Sequence, residues 1–336
     1  MMPMHPRLGA FRAALLTGWI GLSAAGLVYA RQKNIPVWAA VPIIAAFLVE
    51  YSFYLVPGFE PAREWLRGRL SRPRMAAVIA GSAALPYLVY SIPTGEFRWI
   101  AFAALCAIIA TVSFWYVALR PSIITDALFL VLLAAIVLSG SFHHIYTAYN
   151  HVYPASVAKG IAIMGSLMLI HTGALVAFEL REVVNIGFGF IPTQKECIIG
   201  VEYFFYFLPV GVPLAWWLGV AHLNFTAGLL LWKVLAYLFG PLWVTALSEE
   251  FFFRGLLQQG LVGWTGRPWL SLGAASLLYG ASHLGFQHAF PNWKWAVVDS
   301  FLGCFCGLAF RKAGSIRASM VTHALVIALW RTLFVS

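Results

Sequence analysis

Long apolar runs follow one another along this chain, and each is close to the roughly 20 residues that an α-helix needs to cross a bilayer. Charge is scarce, because 61% of the 336 residues are hydrophobic and 10% are charged, whereas soluble domains average about 25% charged residues. The pattern predicts an all-α fold, a polytopic transmembrane helical bundle of about ten or eleven spans. It excludes a soluble globule, a disordered chain and a secreted disulfide scaffold. The runs lie at about 13–30, 35–57, 75–94, 99–119, 122–140, 157–178, 197–220, 225–261, 270–283, 293–310 and 315–334.

The run at 225–261 is too long for one straight span. Gly240-Pro241 is expected to kink or divide it, because proline removes a helical hydrogen bond and clashes with the preceding turn. Whether this segment crosses the membrane once or twice is left open. The side of the membrane to which the C-terminal half opens is left open for the same reason.

The basic residues lie in short turns between apolar runs, so the net charge of +10 indicates membrane orientation and no nucleic-acid partner. The most basic turn, 58–74, carries five arginines, and Trp65 and Leu66 within it favour a short helix at the membrane interface. Basic loops stay in the cytoplasm. We therefore expect an integral protein of the bacterial cytoplasmic (inner) membrane, embedded in the lipid bilayer, with a cytoplasmic N-terminus.

The cysteines and a histidine-rich loop contain residue types that can bind metals, but both have a simpler interpretation than a metal site. The cysteines lie within or at the edges of apolar runs and are interpreted as small hydrophobic residues. The loop at 141–156 favours an aromatic belt at the membrane surface over a metal site, because no carboxylate is near. These residues are Cys106, Cys197, Cys304 and Cys306 in the first group, and His143, His144, His151, Tyr146, Tyr149 and Tyr153 in the second.

A polar segment at 179–196 is the clearest change of composition along the chain. It predicts an N-terminal transmembrane helical extension at 1–178 and a C-terminal helical bundle at 179–336.

Ionisable residues at membrane depth are costly and are functional candidates by default. They concentrate in the last third of the chain, in the sequence Ser-Glu-Glu-Phe-Phe-Phe-Arg-Gly at 248–255. Glu250 and Arg254 are four residues apart and share a helix face, whereas Glu249 lies about 100° round the helix. Glu250 is therefore expected to be neutralised by Arg254. Glu249 is expected to be a desolvated carboxylate that can act as a base or an acid.

Two histidines on later spans could reach the same cavity as Glu249. Glu249, His283 and His323 could together activate a water and stabilise an oxyanion, or they could hold a divalent metal ion. The simpler alternative is a buried ion network that holds helices together, with both histidines as satisfied hydrogen-bonding groups. For this cluster we favour the functional interpretation.

The order of these residues resembles the CAAX protease and bacteriocin-processing family of intramembrane glutamate proteases, which includes the Ras-converting CAAX endopeptidases. Glu249-Glu250-x-x-x-Arg254 is similar to the first motif of that family. Tyr279-x-x-x-His283 is similar to its Phe-x-x-x-His motif, with Tyr in place of Phe, and His323 is similar to the histidine of the last motif. The resemblance covers roughly 179–334 and leaves the first six spans unmatched.

The resemblance implies hydrolysis of a peptide bond in a membrane-associated or lipid-anchored protein or peptide. Glu249 with His283 would activate the water, Glu250 and Arg254 would support them, and His323 would help to stabilise the oxyanion. No cofactor is expected, although a divalent metal held by the same residues is an alternative. A further alternative is a non-catalytic scaffold, immunity factor or transporter.

One position departs from the family pattern. Four residues after His323 the family often carries Asn as a second oxyanion donor, whereas this chain has Ile327. Loss of one such donor costs about 10²- to 10³-fold in rate. Thr322 is a candidate substitute, and Asn292 and His288 lie on the loop after His283.

Six further ionisable residues at membrane depth keep a transporter interpretation open. Glu50 and Asp126 lie on different spans and could form a proton relay, although both are near span ends, where interfacial exposure is common. Asp299 is expected either to orient a histidine or to cap polar backbone. The six are Glu50, Asp126, Lys159, His171, Lys233 and Asp299.

Overall fold

The computed structural model describes residues 8–146, 160–223, 231–286 and 290–335. Over these residues the chain is an all-α membrane protein, as the apolar runs predict. The β structure in this part of the chain is one pair of two-residue strands, His222–Leu223 against Phe334–Val335. The chain divides into two compact units, of which the first ends at Val184 and the second begins at Asn185. The functional division at 178 into an extension and a protease domain stays a prediction.

The first unit consists mainly of apolar helices. The last of these helices, Ile163–Leu175, continues as a π-helical turn at Val176–Leu180. The helices described in this unit are α1 (Gly9–Gln32), α2 (Val37–Leu55), α3 (Glu60–Arg67), α4 (Arg72–Ser91), α5 (Trp99–Ala118), α6 (Ile123–Leu138), α7 (Ser141–Tyr146) and α8 (Ile163–Leu175).

A buried polar cluster joins three helices of this unit. His171 on α8 contacts Glu50 on α2 through Nδ1 and Oε1 at 2.6 Å, and its Nε2 lies 3.2 Å from the Ser82 hydroxyl on α4. Glu50 is fully buried, so the expected interfacial exposure of this residue is wrong. The reason is that His171 provides a polar partner inside the bundle, which offsets the cost of burying the carboxylate.

Asp126, the other half of the suggested relay, has different partners. It lies in the first turn of α6, where it accepts hydrogen bonds from Arg181 at 2.8 Å and from the Tyr116 hydroxyl at 2.8 Å. These hydrogen-bond partners of Asp126 are different residues from those that join the cluster around Glu50.

The arginine-rich turn forms the short helix that the sequence predicts, α3. Arg67 donates to Glu179 at 2.9 Å and Arg63 donates to the same carboxylate at 3.4 Å. The hydrogen bond that Arg67 donates to Glu179 raises the pKa of Arg67. Two of the basic residues are therefore used inside the unit, where they neutralise a buried glutamate.

The predicted belt lies partly within the described residues. α7 buries Tyr146 and exposes His143 and His144. The other three members, Tyr149, His151 and Tyr153, lie outside the described residues.

The second unit contains the helices that carry the chemistry. They are α9 (Gln194–Trp217), α10 (231–265), α11 (Pro268–Ser282), α12 (Trp293–Ala313) and α13 (Ile316–Leu333). Polar residues fix where these helices begin. Thr193 and Glu196 form a reciprocal capping box on α9, and Glu196 also binds Arg317 on the first turn of α13 at 2.8 Å. The starts of α9 and α13 are thereby held together.

α10 is one uninterrupted helical segment, so Gly240-Pro241 does not divide it. It comprises Leu231–Pro241, a π-helical turn at Leu242–Ala246, Leu247–Glu250, a π-helical stretch at Phe251–Gln258, and Gln259–Thr265. The first π-helical turn follows Pro241 directly, where the proline cannot donate the usual backbone hydrogen bond. The wider helical turn accommodates the proline without dividing the helix.

Six helical segments among the described residues are long and apolar enough to cross a membrane: Gly9–Gln32, Val37–Gly58, Trp99–Ala118, Ile163–Leu180, Gln194–Trp217 and Trp293–Ala313. Ile123–Leu138 is a shorter apolar helix. Helices also form at the remaining predicted spans, in α4, α10, α11 and α13. The total of ten or eleven crossings stays a prediction.

Candidate active site

A cavity of about 520 Å³ lies within the second unit. Its lining includes Glu249, His283, Asp299 and His323. These four side chains come from α10, the end of α11, α12 and α13. The rest of the wall is largely aromatic and aliphatic, with Phe207, Phe286, Trp295, Trp330 and Phe334 among its members. The cavity therefore combines ionisable groups with an apolar wall, the composition typical of a ligand site.

Glu250 points away from the cavity that Glu249 lines, because adjacent residues of a helix face different directions. It is fully buried, and its Oε2 lies 3.1 Å from Nε of Arg254, the partner expected from the spacing. Arg254 in turn donates to the Gly303 carbonyl on α12 at 2.9 Å. Neither Glu250 nor Arg254 is among the residues that line the cavity. The pair ties α10 to α12 behind the cavity wall.

His323 links this buried pair to the cavity. Its Nδ1 lies 2.9 Å from Oε1 of Glu250, and because a carboxylate only accepts, Nδ1 carries a proton and donates. Its Nε2 lies 3.2 Å from the Tyr279 hydroxyl and 3.8 Å from Oε2 of Glu249. In the neutral ring, Nε2 is then an acceptor for the Tyr279 hydroxyl.

Glu249 is the carboxylate that is available to a substrate or water. Its side chain is 27% exposed, and it lines the cavity. Its Oε2 has no hydrogen-bond partner among the described residues. The contrast with fully buried Glu250 follows from the rotation of about 100° between adjacent helical residues.

His283 lies just beyond the last residue of α11. Its Nδ1 is 3.0 Å from the Tyr279 carbonyl oxygen, which only accepts, so Nδ1 donates, and in the neutral ring Nε2 keeps its lone pair. Asp299 on α12 is buried, and its Oδ2 lies 3.8 Å from the same Nδ1. Of the two roles considered for Asp299, this position favours orienting the histidine.

The structure places two of the three candidate oxyanion donors, Thr322 and Asn292, and also Ile327, where the donor is missing. Ile327 lines the cavity and supplies no polar group. Thr322 is buried outside the lining, and its hydroxyl donates to the Gly200 carbonyl at 2.9 Å and to Ala318 of its own helix at 3.3 Å. It is thus a contact between α13 and α9, and its geometry gives no support to an oxyanion role. Asn292 caps α12 through Trp295 N at 3.4 Å, and His288 lies outside the described residues.

Among the polar groups of the cavity that the sequence interpretation gave no role, two have informative surroundings. One is the Tyr279 hydroxyl, which the replacement of Phe by Tyr in the second motif could have indicated. The other is Nε1 of Trp330, a buried donor with no acceptor among the described residues. Trp330 lies seven residues after His323, and this spacing places both on one face of α13.

The possible metal ligands form a different set from the expected one. Among the described residues, the ligand atoms that lie within 4.8 Å of one another belong to Glu250, Cys306 and His323. All three residues are buried, and Glu249 and His283 are not in the group. The Arg254 guanidinium lies beside Glu250 and disfavours a second cation there.

A comparison with known protein families matches the segment that carries this site. Residues 229–329 match the family model described as Rce1-like, type II CAAX prenyl endopeptidase Rce1-like. No curated protein and no solved structure matched the chain. The matched segment contains all three motifs and four of the helices or helix ends that line the cavity. Over residues 229–329 the chain is therefore similar to the type II CAAX prenyl endopeptidases of the Rce1-like family, in agreement with the resemblance of its motifs.

Proposed function

We propose that this protein hydrolyses a peptide bond in a membrane-associated or lipid-anchored protein or peptide, with a water activated by Glu249 and His283. The observation that carries the proposal is the meeting of Glu249, His283 and His323 at one cavity from three separate helices. The apolar wall suits a substrate that arrives from the bilayer.

The chemistry follows from the surroundings of each group. Glu249 takes a proton from water, and the hydroxide formed attacks the carbonyl carbon. His283, oriented by the Tyr279 carbonyl, accepts from the same water through Nε2 or shares its proton. Collapse of the tetrahedral intermediate breaks the C–N bond, and the proton passes to the departing amine. Glu250 and Arg254 hold His323 in place from behind the wall.

The buried indole N–H of Trp330 supports binding of an extended peptide. Nε1 of Trp330 has no acceptor among the described residues although the atom is buried. A buried donor without a partner is costly, and a substrate carbonyl would satisfy it.

The proposed location is the bacterial cytoplasmic (inner) membrane, with the N-terminus in the cytoplasm. The argument is the concentration of arginines at 58–74, of which Arg69 is exposed.

The experiment compares native membranes that contain the wild type, Glu249→Gln or Glu202→Gln, with new protein termini identified by mass spectrometry. Glu202→Gln is the matched control, because this glutamate binds Lys312 at the surface of the same unit. We expect termini that are present with the wild type and Glu202→Gln and absent with Glu249→Gln. The same termini in all three membranes would exclude the proposal and favour a non-catalytic protein.

A metal-dependent protease is the second candidate, and the convergence of Glu250, Cys306 and His323 favours it. Our proposal expects the purified protein to keep its activity in a strong chelator and Cys306→Ala to remain active. Loss of activity in chelator, with recovery on adding zinc, would establish the metal mechanism instead.

A further inference from the structure

We propose that the hydroxyl of Tyr279 is an oxyanion donor, which takes the place of the polar side chain that is missing at Ile327. This inference rests on the proposed function and names one more group that contacts the reacting atoms.

The position of the hydroxyl fits this role. Tyr279 lines the cavity, as Glu249 and Ile327 do, and its Oη lies 3.2 Å from Nε2 of His323. The hydroxyl and the imidazole of His323 therefore face the same region of the cavity. A carbonyl oxygen placed beside them would be within reach of both groups.

The ring of Tyr279 is fixed by its neighbours. The residue is 1% exposed, and the guanidinium of Arg254 lies over its ring at 4.7 Å. Phe253 contacts the ring edge-on with centroids 5.1 Å apart. At Gly303 the helices approach so closely that an added Cβ would lie 3.1 Å from the Tyr279 ring. A donor held in this way needs little reorganisation as charge develops.

The proton arrangement of His323 explains why a second donor is needed. Because Nδ1 donates to Glu250, the neutral ring has no proton on Nε2, the nitrogen near Tyr279 and Glu249. In that state the hydroxyl donates to Nε2, and rotation about its C–O bond turns the same proton to an oxyanion. When His323 is doubly protonated, Nε2 donates and the hydroxyl is free to donate as well. The Tyr279 hydroxyl is thus a donor in both protonation states, and it keeps its proton throughout.

The two departures from the family motifs are complementary in this account. Tyr279 adds a hydroxyl where the resembled motif has Phe, and Ile327 removes an amide where the last motif often has Asn. Both residues line one cavity. If one oxyanion donor has replaced another, a donor must be gained at one position and lost at another within the same cavity. Tyr279 and Ile327 fulfil this condition.

The test uses the full-length protein in liposomes and a quenched fluorogenic peptide that spans the bond found in the Glu249 comparison. Tyr279→Phe removes one oxygen atom, and Tyr206→Phe is the control, since it removes a hydroxyl bound to Glu202 at the surface of the same unit. We expect kcat to fall by about 10²- to 10³-fold in Tyr279→Phe with KM nearly unchanged. Tyr206→Phe should match the wild type.

A double variant separates a donor from a merely structural hydroxyl. We expect Tyr279→Phe/Ile327→Asn to recover much of the lost kcat, because the amide restores a donor at the cavity. Turnover close to wild type in Tyr279→Phe, while Glu249→Gln is inactive, would overturn the inference and leave the proposed function standing. A loss that comes with a lower unfolding temperature and is not relieved by Ile327→Asn would overturn it too. Full activity of Glu249→Gln would instead contradict the proposed function itself.

Discussion

Glu249 and Glu250 are adjacent in the chain but have opposite surroundings. Glu249 lines the cavity with one oxygen free of hydrogen bonds to the described residues, whereas Glu250 is fully buried between Arg254 and His323. Removing the charge of Glu249 should therefore change the chemistry, and removing that of Glu250 should change the fold.

We expect Glu250→Gln to destabilise the protein by about 3–5 kcal/mol, because it leaves the Arg254 cation buried without its counter-charge. Glu249→Gln should unfold close to the wild-type temperature and yet be inactive. Thermal unfolding in detergent, followed by tryptophan fluorescence, measures the difference. Equal unfolding temperatures for both variants would contradict the assignment of Glu250 to the stability of the fold and Glu249 to the chemistry.

Trp330 offers a second prediction at the level of single residues. Trp330→Phe removes the unpartnered indole donor and keeps an aromatic ring against Trp295 and Phe334. One lost hydrogen bond is worth about 0.5–1.5 kcal/mol, so KM should rise by up to about tenfold while kcat stays near wild type. A fall in kcat at constant KM would place the indole in the transition state instead.

Helix packing sets the positions of the site residues. Gly280 on α11 lies so close to α12 that an added Cβ would overlap the Ser300 hydroxyl and the Ala296 carbonyl. On the same helix Gly273 has open space around the corresponding position. Close approach through small residues is a common way for membrane helices to pack.

We expect Gly280→Ala to destabilise the protein by about 1–3 kcal/mol through overpacking and to lower activity by displacing His283. Gly273→Ala is the matched control and should be neutral or slightly stabilising, since alanine favours a helix. Unfolding temperature and peptide turnover report the two effects. If Gly280→Ala behaves like Gly273→Ala, α11 and α12 do not approach as the structure has them.

The sequence predicted the helices well and their mutual contacts poorly. The spacing of Glu250 and Arg254 was sufficient to predict their ion pair, because it depends on one helix alone. The bond from His323 to Glu250 joins residues 73 positions apart, and the partner of Thr322 is a backbone carbonyl on α9. Such contacts depend on how separate helices pack. The π-helical turns of α10 likewise leave no periodic signal in the sequence.

At the scale of the whole molecule, the arginine-rich turn at 58–74 predicts how the protein is oriented in the membrane. Arg69 is exposed in the basic turn, and its guanidinium lies over the Trp65 ring at 4.3 Å. The concentration of arginines predicts that this turn lies in the cytoplasm.

We expect Arg69→Cys to react with a membrane-impermeant maleimide from the cytoplasmic side only, above the labelling of the parent protein with its four native cysteines. Inverted and right-side-out vesicles provide the two sides. Labelling in right-side-out vesicles alone would reverse the assigned topology.

The most direct test of Glu249-dependent hydrolysis uses the purified protein in liposomes and the quenched peptide, in water enriched in ¹⁸O, with mass spectrometry of the products. The account predicts that the wild type and Glu202→Gln produce a new C-terminal carboxylate that carries one ¹⁸O atom. Glu249→Gln should produce none above the uncatalysed background. Cleavage by Glu249→Gln at the wild-type rate, with the same ¹⁸O incorporation, would contradict it.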